Sequence, residues 1–314
     1  MLRIQIKSIL SLLMIGSLLL LLVGCGSQAA TPETPQDQGT SIELIDMLDR
    51  PIQLNGPANK IVALQPADVE IIYALGAEAS LVGVGEFCNY PAAAQEKVVL
   101  SSGAQTNIET IVALDPDVVI MSTLDQSEEQ IAQLTRAGMK VVLTNAQDIL
   151  GTYQAIELIG QVVDRPEQAT ALVTDLKNKF AELKEKAAKQ QNKTIYFEVS
   201  PLQYGLWTAG KQTFMQEMAD LLGLENIFAD IDGWAPISEE QVISRNPDII
   251  VTITMFYGEG PKPEEEIMER KAWANVQAIK NKAIYNGDSD RLTRPGPRLA
   301  QGAEDLYQFV EQYR

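Results

Sequence analysis

The feature that most constrains the fold is a pattern that the chain contains twice. Residues 109–120 (ETIVALDPDVVI) align without gaps with residues 240–251 (EQVISRNPDIIV), 131 positions further along. Each copy combines a short amphipathic stretch, a Pro-Asp turn and a run of β-branched residues, which predicts a helix followed by a buried strand. A repeat at a constant offset indicates two structurally related halves.

The segments upstream of both copies also correspond. Residues 60–66 and 194–201 are apolar runs that end at a proline, and each precedes a predicted helix that ends at a Leu-Gly pair, residues 75–76 and 222–223. Strands that alternate with helices at this spacing predict parallel sheets with helices on their faces. The expected fold class is therefore α/β, with one lobe for each half.

Residues 166–191 between the halves predict one long amphipathic helix. Pro166 suits the first helical position, and the apolar residues recur at helical spacing: Ala169, Leu172, Val173, Leu176, Phe180, Leu183 and Ala187. At about 1.5 Å per residue the helix spans more than roughly 30 Å, enough to run along both lobes. The alternative is a peripheral helix on one lobe. Residues 42–54 predict a hairpin that turns at Asp49-Arg50, at the edge of the first lobe.

The N-terminal residues predict a leader. Basic residues precede an apolar run that ends near residue 23, which fits a signal peptide over residues 1–24 and is shorter than the roughly 20 apolar residues of a spanning helix. The sequence Leu-Val-Gly-Cys that ends at Cys25 resembles a lipobox. It predicts that Cys25 is lipidated and holds the protein outside the cytoplasm at the cell membrane, either in the periplasm or at the outer face. Ordinary cleavage with an incidental cysteine is the alternative. The polar residues 25–40 predict a flexible tether.

Composition excludes several function classes. The 42 acidic residues against 25 basic ones argue against nucleic acid or an anionic membrane surface as a partner. Histidine is absent, which removes the commonest general base and transition-metal ligand, so we expect no metal site on the chain itself. Cys88 is the only cysteine outside the leader, so no internal disulfide is expected, and the thiol is interpreted as a small buried apolar group.

Four segments together resemble a known family. They are residues 62–70 (VALQPADVE), the stretch from Gly83 to the Tyr90-Pro91 pair, the tripeptide at 107–109 and residues 294–298 (RPGPR). Their order along the chain resembles that in the periplasmic binding protein family for ferric siderophores and cobalamin. The resemblance implies two Rossmann-like lobes joined by one rigid helix, with the ligand between them and modest closure. It divides the chain into an N-terminal lobe (41–165), a connecting helix (166–191) and a C-terminal lobe (192–314).

The resemblance also implies a function. Members of this family are capture subunits of ABC importers, so the expected partners are a permease and its ATPase subunits. The expected cargo is a metal chelate, either a ferric siderophore or a corrinoid. The protein itself is expected to be a monomer without a cofactor. The alternatives are an enzyme of nitrogenase-like or chelatase-like type on the same scaffold, which needs several Cys or His ligands, and a structural or adhesive surface lipoprotein, which has no deep cleft.

The resemblance assigns candidate ligand-binding residues. Cobalamin-binding members place aromatic side chains at the positions of Phe87, Tyr90 and Trp234, and polar cleft groups at Asp290 and Arg294. They carry a tryptophan where this chain has Gly103, which leaves the ligand open. Cations that an anionic catecholate chelate requires are available at Arg291, Arg294, Arg298 and Lys211. The alternatives are core packing for the aromatic residues and surface ion pairs for the arginines.

Two glutamates occupy equivalent positions in the repeat. Glu109 and Glu240 are each predicted in the first turn of a helix, after Asn107 and Ser238 as caps. Relatives use one glutamate from each lobe to dock onto arginines of the permease, and the resemblance implies this role here. A favourable interaction with the helix dipole, about 0.3–1 kcal/mol, is the alternative reason for an acid at this position.

Overall fold

The computed structural model describes residues 41–103, 106–123, 127–188, 193–254 and 260–313. The predicted signal peptide, Cys25, the tether and the last residues of the predicted connecting helix (189–191) lie outside the described residues. Within the described part of the chain, no helix has the length and apolar character needed to cross a membrane.

The described chain begins with a hairpin. Strands β1 (Ile42–Ile45) and β2 (Pro51–Leu54) pair antiparallel as a separate two-stranded sheet. The turn contains Asp49 at a φ of 58°, a conformation that Asp tolerates better than most residues. The backbone N–H of Met47 donates to the carbonyl of Leu143. The predicted hairpin is confirmed, and it is fastened to the N-terminal lobe.

The N-terminal lobe is built on one parallel sheet. Its strands are β3 (Ile61–Ala63), β4 (Leu81–Gly85), β5 (Val98–Leu100), β6 (Val118–Ser122) and β7 (Val141–Thr144), in the order β5-β4-β3-β6-β7. Its helices are α1 (Pro66–Ala74), α2 (Ile108–Ala113), α3 (Glu128–Arg136) and α4 (Ile149–Val162). Because the strands are parallel, their carboxyl ends all reach the same edge of the sheet.

The long helix predicted between the halves is α5 (Pro166–Ala187). It buries six of the seven side chains predicted for its apolar face, among them Val173, Leu176 and Phe180, and Leu172 is partly buried. It packs against α4 on the N-terminal side, and against two helices of the C-terminal half, α6 (Phe214–Leu221) and α11 (Leu299–Glu311). The alternative of a helix that packs on one lobe is therefore wrong.

The C-terminal lobe contains a mixed sheet. Its strands are β8 (Thr194–Ser200), β9 (Trp207–Ala209), β10 (Glu225–Asn226), β11 (Trp234–Pro236), β12 (Ile249–Thr252) and β13 (Ile284–Asn286). Its remaining helices are α7 (Glu239–Arg245), α8 (Pro263–Glu269), α9 (Gln277–Asn281) and α10 (Ser289–Thr293). The main path runs β11-β9-β8-β12-β13, and β10 pairs with β8.

The mixed sheet departs from the purely parallel sheet that the sequence predicts. Strands β8, β10, β12 and β13 pair in parallel, but β9 is antiparallel to β8 and β11 is antiparallel to β9. Only residues 201–206 separate β8 from β9. A connection this short allows an antiparallel return and no crossover helix.

The repeat has the predicted structure in both lobes. Helix α2 leads into β6, and α7 leads into β12, with the strands beginning at Val118 and Ile249. The Asn107 side chain accepts the backbone N–H of Thr110, and the Ser238 hydroxyl accepts that of Gln241. The two helices are therefore capped as predicted.

Candidate functional site

A cavity of about 430 Å³ opens where the carboxyl ends of the N-terminal strands meet the C-terminal lobe. We call it the inter-lobe pocket. Its N-terminal lining follows β3, β4, β5, β6 and β7, and its C-terminal lining comes from the end of α10. The lining residues are Leu64, Gln65, Pro66, Ala67, Asp68, Phe87, Ser102, Ser122, Thr144, Ala146, Ala155, Thr293, Arg294 and Pro295. Chain from both halves therefore forms one pocket, in the place that the resemblance implies.

Asp68 is the ionisable group of the N-terminal lining. It lies in the first turn of α1 and is buried, and its Oδ2 accepts a hydrogen bond from the Thr144 hydroxyl at 2.9 Å. Burial raises the pKa of Asp68 to about 7, because desolvation outweighs the opposing hydrogen bond. Ser102 and Ser122 line the same pocket with hydroxyl groups. This wall of the pocket can accept hydrogen bonds from a ligand.

Four charged side chains form a cluster beside the pocket, which we call the inter-lobe ion cluster: Glu70, Asp290, Arg294 and Arg298. Arg298 Nε and Nη2 donate to the two oxygens of Glu70 at 2.8 and 2.6 Å. Arg294 Nη1 lies 3.2 Å from Glu70 Oε1, and its Nη2 lies 2.8 Å from Asp290 Oδ1. The Glu70 side chain is only 2% exposed, so it needs these cations as partners.

The cluster joins the two lobes. Glu70 belongs to α1, whereas Asp290, Arg294 and Arg298 lie in or beside α10 and α11. Asn89 adds a second bridge, since it accepts from Arg294 Nη1 at 2.7 Å and donates to Asp290 Oδ2 at 3.0 Å. The carbonyl of Phe87 accepts a longer bond from Arg294, at 3.4 Å. The α1 helix and the loop after β4 are thus both fastened to the C-terminal lobe.

The structure brings most of the predicted ligand-binding residues together. Phe87 and Arg294 line the pocket, Asp290 and Arg298 belong to the ion cluster, and the Arg298 guanidinium lies 4.0 Å from the centre of the Tyr90 ring. Trp234 lies apart from them on β11 and is not among the lining residues of the pocket.

The alternatives offered for these side chains are not supported. Phe87, Tyr90 and Trp234 are 64%, 47% and 46% exposed, so none of the three packs in the core. The arginines are not in surface ion pairs either, because the side chains of Arg294 and Arg298 are only 16% and 13% exposed.

The other two cations predicted as candidates for anion binding are already paired. Arg291 Nη1 lies 2.8 Å from Asp305, and Lys211 Nζ lies 3.2 Å from Asp232. Neither residue lines the pocket. These pairs, together with the ion cluster, occupy all four cations that the sequence offers for a catecholate chelate.

Sequence reasoning gave no role to Asp68, Glu70 and Asn89. Asp68 and Glu70 sit within the apolar helix α1 and are both buried. Two acids in such a helix indicate buried partners, because an unpaired buried carboxylate is costly. The sequence therefore indicates that these acids have buried partners. It does not identify the partners of Glu70, because they lie more than 220 positions away along the chain.

The remaining predicted residues lie outside the pocket. Glu109 and Glu240 are exposed, each in the first turn of its helix. Cys88 is buried in the core as interpreted, and burial raises the pKa of its thiol to about 12. The described residues contain no group of three or more Cys, Asp or Glu side chains placed to hold a metal ion.

Comparison with known proteins identifies the family. The sequence model of the periplasmic binding protein family matches residues 61–291. The chain is 33% identical to an uncharacterized ABC transporter substrate-binding lipoprotein of Bacillus subtilis, over 92% of this chain and 93% of that protein. It is 31% identical to a vitamin B12-binding protein of Salmonella paratyphi A, over 81% of this chain and 91% of the relative.

A solved structure agrees with the sequence comparisons. A possible iron-binding, periplasmic solute-binding protein from Staphylococcus epidermidis superposes with a TM-score of 0.72 at 31% identity, covering 81% of this chain and 98% of that one. Two lobes, a pocket lined from both of them and these matches over most of the chain lead to one conclusion. The chain belongs to the periplasmic binding protein family, whose members are solute-binding components of ABC transporters rather than enzymes.

Proposed function

We propose that the chain captures a metal-chelate nutrient in the inter-lobe pocket and delivers it to the permease of an ABC importer. The observation that carries this proposal is the pocket itself, about 430 Å³ in volume and lined from both lobes. Ligand sites of this kind combine apolar walls with a few placed polar groups. The pocket has that character, with Phe87 and Leu64 beside Asp68 and Thr144.

The exposed aromatic side chains suit a bulky chelate. Phe87 and Tyr90 lie in the loop after β4, and Trp234 lies on β11 of the other lobe. A metal chelate presents wide apolar faces with polar groups at its rim, and aromatic side chains offer matching flat surfaces. Relatives named for vitamin B12 and for iron agree with a chelate as the cargo.

Titration of the full-length chain in detergent tests the proposal. Trp207 and Trp234 are 41% and 46% exposed, so their fluorescence reports binding nearby. The titrants are cyanocobalamin, a ferric trihydroxamate and a ferric tricatecholate, and the absorption spectrum of protein purified from its host supplies an independent readout. We expect saturable quenching by at least one chelate, or a corrin or ferric charge-transfer band in the spectrum. The absence of both would contradict the proposal.

We further propose that Cys25 carries the lipid anchor, that residues 25–40 tether the lobes to the outer face of the membrane, and that the chain works as a monomer. The relative from Bacillus subtilis, described as a lipoprotein, supports the anchor. Intact-mass measurement of the mature protein tests it, since diacylglycerol on Cys25 adds a defined mass that a Cys25→Ser chain lacks. Identical masses apart from that substitution would contradict it.

Docking onto the permease is proposed to use Glu109 and Glu240. The two glutamates occupy equivalent positions, one on each lobe, and both are exposed. The carboxyl pKa of Glu240 is lowered by hydrogen bonds from its own backbone N–H and from Ser238. Glu240 therefore stays charged at neutral pH, as pairing with a permease arginine requires.

A further inference from the structure

The arginines beside the pocket are already neutralised within the protein. The inter-lobe ion cluster holds two carboxylates and two guanidinium groups, so its formal charge is zero. Both oxygens of Glu70 are engaged by Arg298, and Arg294 is shared between Glu70, Asp290 and Asn89. An anionic ligand would have to compete with these carboxylates for cations that are mostly buried.

The N-terminal wall of the pocket adds no positive charge. Its polar groups are the Asp68 carboxyl, the Gln65 amide and the hydroxyls of Ser102, Ser122 and Thr144, and Arg294 is the only cationic side chain in the described lining. A carboxylate or catecholate placed here would be repelled by the ionised form of Asp68, and the protonated form would add no positive charge to this wall. A neutral amide or hydroxyl could instead donate a hydrogen bond to Asp68.

The charge of the whole chain points the same way. The complete sequence carries a formal charge of −17. Long-range electrostatics therefore oppose the approach of a polyanion.

We propose that this cleft selects a chelate with no net negative charge whose rim carries neutral hydrogen-bond donors. The inference rests on the proposed function and specifies its ligand. Charge balance divides the chelates: three dianionic catecholates leave Fe³⁺ with three negative charges, whereas three monoanionic hydroxamates leave none. Cyanocobalamin is neutral and carries primary amides at its rim. Corrinoids and ferric trihydroxamates therefore share the required chemistry.

Competition between probes tests the selection. We expect the full-length chain to bind cyanocobalamin or the ferric trihydroxamate at least about 100-fold more tightly than the ferric tricatecholate, a difference of about two decades in Kd. Whichever of the two neutral probes binds more tightly indicates whether the ligand is a corrinoid or a ferric trihydroxamate. Equal or tighter binding of the tricatecholate would overturn this inference alone, whereas binding of none of the three would contradict the proposed function as well.

Charge variants test the cause. Asp290→Asn and, separately, Glu70→Gln leave the cluster with a surplus cation, and we expect the affinity for the tricatecholate to rise about tenfold, as a new charge pairing in a partly buried site would give. Asp290 provides the safer variant, because its side chain is more exposed than that of Glu70. The control is Asp115→Asn, which removes a carboxylate that pairs with Lys60. This pair lies at the amino-terminal end of the N-terminal sheet, at the opposite end of the strands from the pocket.

The control should leave the affinities for all three probes unchanged. If Asp290→Asn folds with an unchanged melting temperature and still discriminates against the tricatecholate as strongly as the native chain, the balanced ion cluster is not the cause of selection and the inference fails.

Discussion

Among single residues, Asp68 couples the pocket to the stability of the fold. Its pKa is raised to about 7 by burial, whereas an unfolded chain titrates it near 3.8. The native state therefore binds this proton more tightly than the unfolded state does. The contribution to stability is fully present below about pH 4 and is lost as the pH rises through about 7.

The variant Asp68→Asn should remove this pH dependence, since an amide cannot ionise and its oxygen can still accept from Thr144. From pH 4 to pH 8 we expect the native chain to lose roughly 4 kcal/mol of unfolding free energy relative to the variant. Urea unfolding at both pH values measures the difference. Parallel stability profiles for the two proteins would show that Asp68 is already ionised in the native state.

The exposed aromatic residues offer a second prediction at this scale. Phe87→Ala should weaken chelate binding about tenfold or more, since Phe87 lines the pocket, and should leave the melting temperature of the apo protein nearly unchanged, because this side chain is 64% exposed. Ile45→Ala, an exposed apolar change in the hairpin, is the control and should alter neither property. Calorimetry and fluorescence titration give the two readouts, and full affinity in Phe87→Ala would exclude Phe87 from the site.

At the level of elements, the junction between α4 and α5 depends on a glycine. A Cβ placed at Gly160 of α4 would lie 2.5 Å from the Cβ of Ala169 of α5, closer than two carbon atoms can approach. The missing Cβ of Gly160 therefore allows α4 and α5 to approach closely at this junction.

The variant Gly160→Ala should therefore destabilise the protein by about 1–3 kcal/mol through overpacking, even though alanine favours helices more than glycine does. Adding Ala169→Gly should recover most of the loss. Denaturant midpoints of the native chain and both variants decide the matter, and an unchanged or raised midpoint for Gly160→Ala alone would contradict the close packing.

The elements also show what sequence can and cannot predict. The repeat, the hairpin and α5 were predictable because each follows a local periodicity. Strands β9 and β11 were not, because each has three residues and no alternation long enough to recognise. Arg294 and Arg298 were found through the RPGPR motif. Glu70 was not, since nothing in the local pattern reveals which distant cations surround it.

On the scale of the whole molecule, two features resist large motion between the lobes. Helix α5 has no proline or glycine after its first residue and packs on helices of both halves, and kinks need such a break. The inter-lobe ion cluster ties α1 to α10 and α11 a second time. Closure upon binding should therefore be small.

Small-angle scattering checks this expectation. Curves recorded with and without a saturating chelate should superimpose within error. The double variant Arg294→Ala/Arg298→Ala removes the ion cluster and keeps α5, so it separates the two restraints. If α5 alone keeps the lobes rigid, the scattering curve of the variant also matches that of the native chain. A clear decrease in the radius of gyration of the native chain on binding would contradict rigid lobes.

Permease docking is also a property of the whole molecule. Reversing both charges with Glu109→Arg and Glu240→Arg should abolish uptake in cells and leave ligand affinity of the purified chain unchanged, because neither residue lines the pocket. Glu128→Arg changes another exposed acid in the first turn of a helix and is the control that should transport normally. Normal uptake by the double variant would rule out docking through these glutamates.

The burial of Cys88 has a practical consequence. Maleimides react with thiolates, and a thiol whose pKa is raised to about 12 and whose side chain lies in the core forms almost none at neutral pH. With the Cys25 sulfur blocked by its diacylglycerol thioether or with Cys25 replaced by serine, cysteines introduced at one exposed position in each lobe would take up a fluorophore pair without background labelling. The native thiol could stay in place while the distance between the lobes is followed in single molecules.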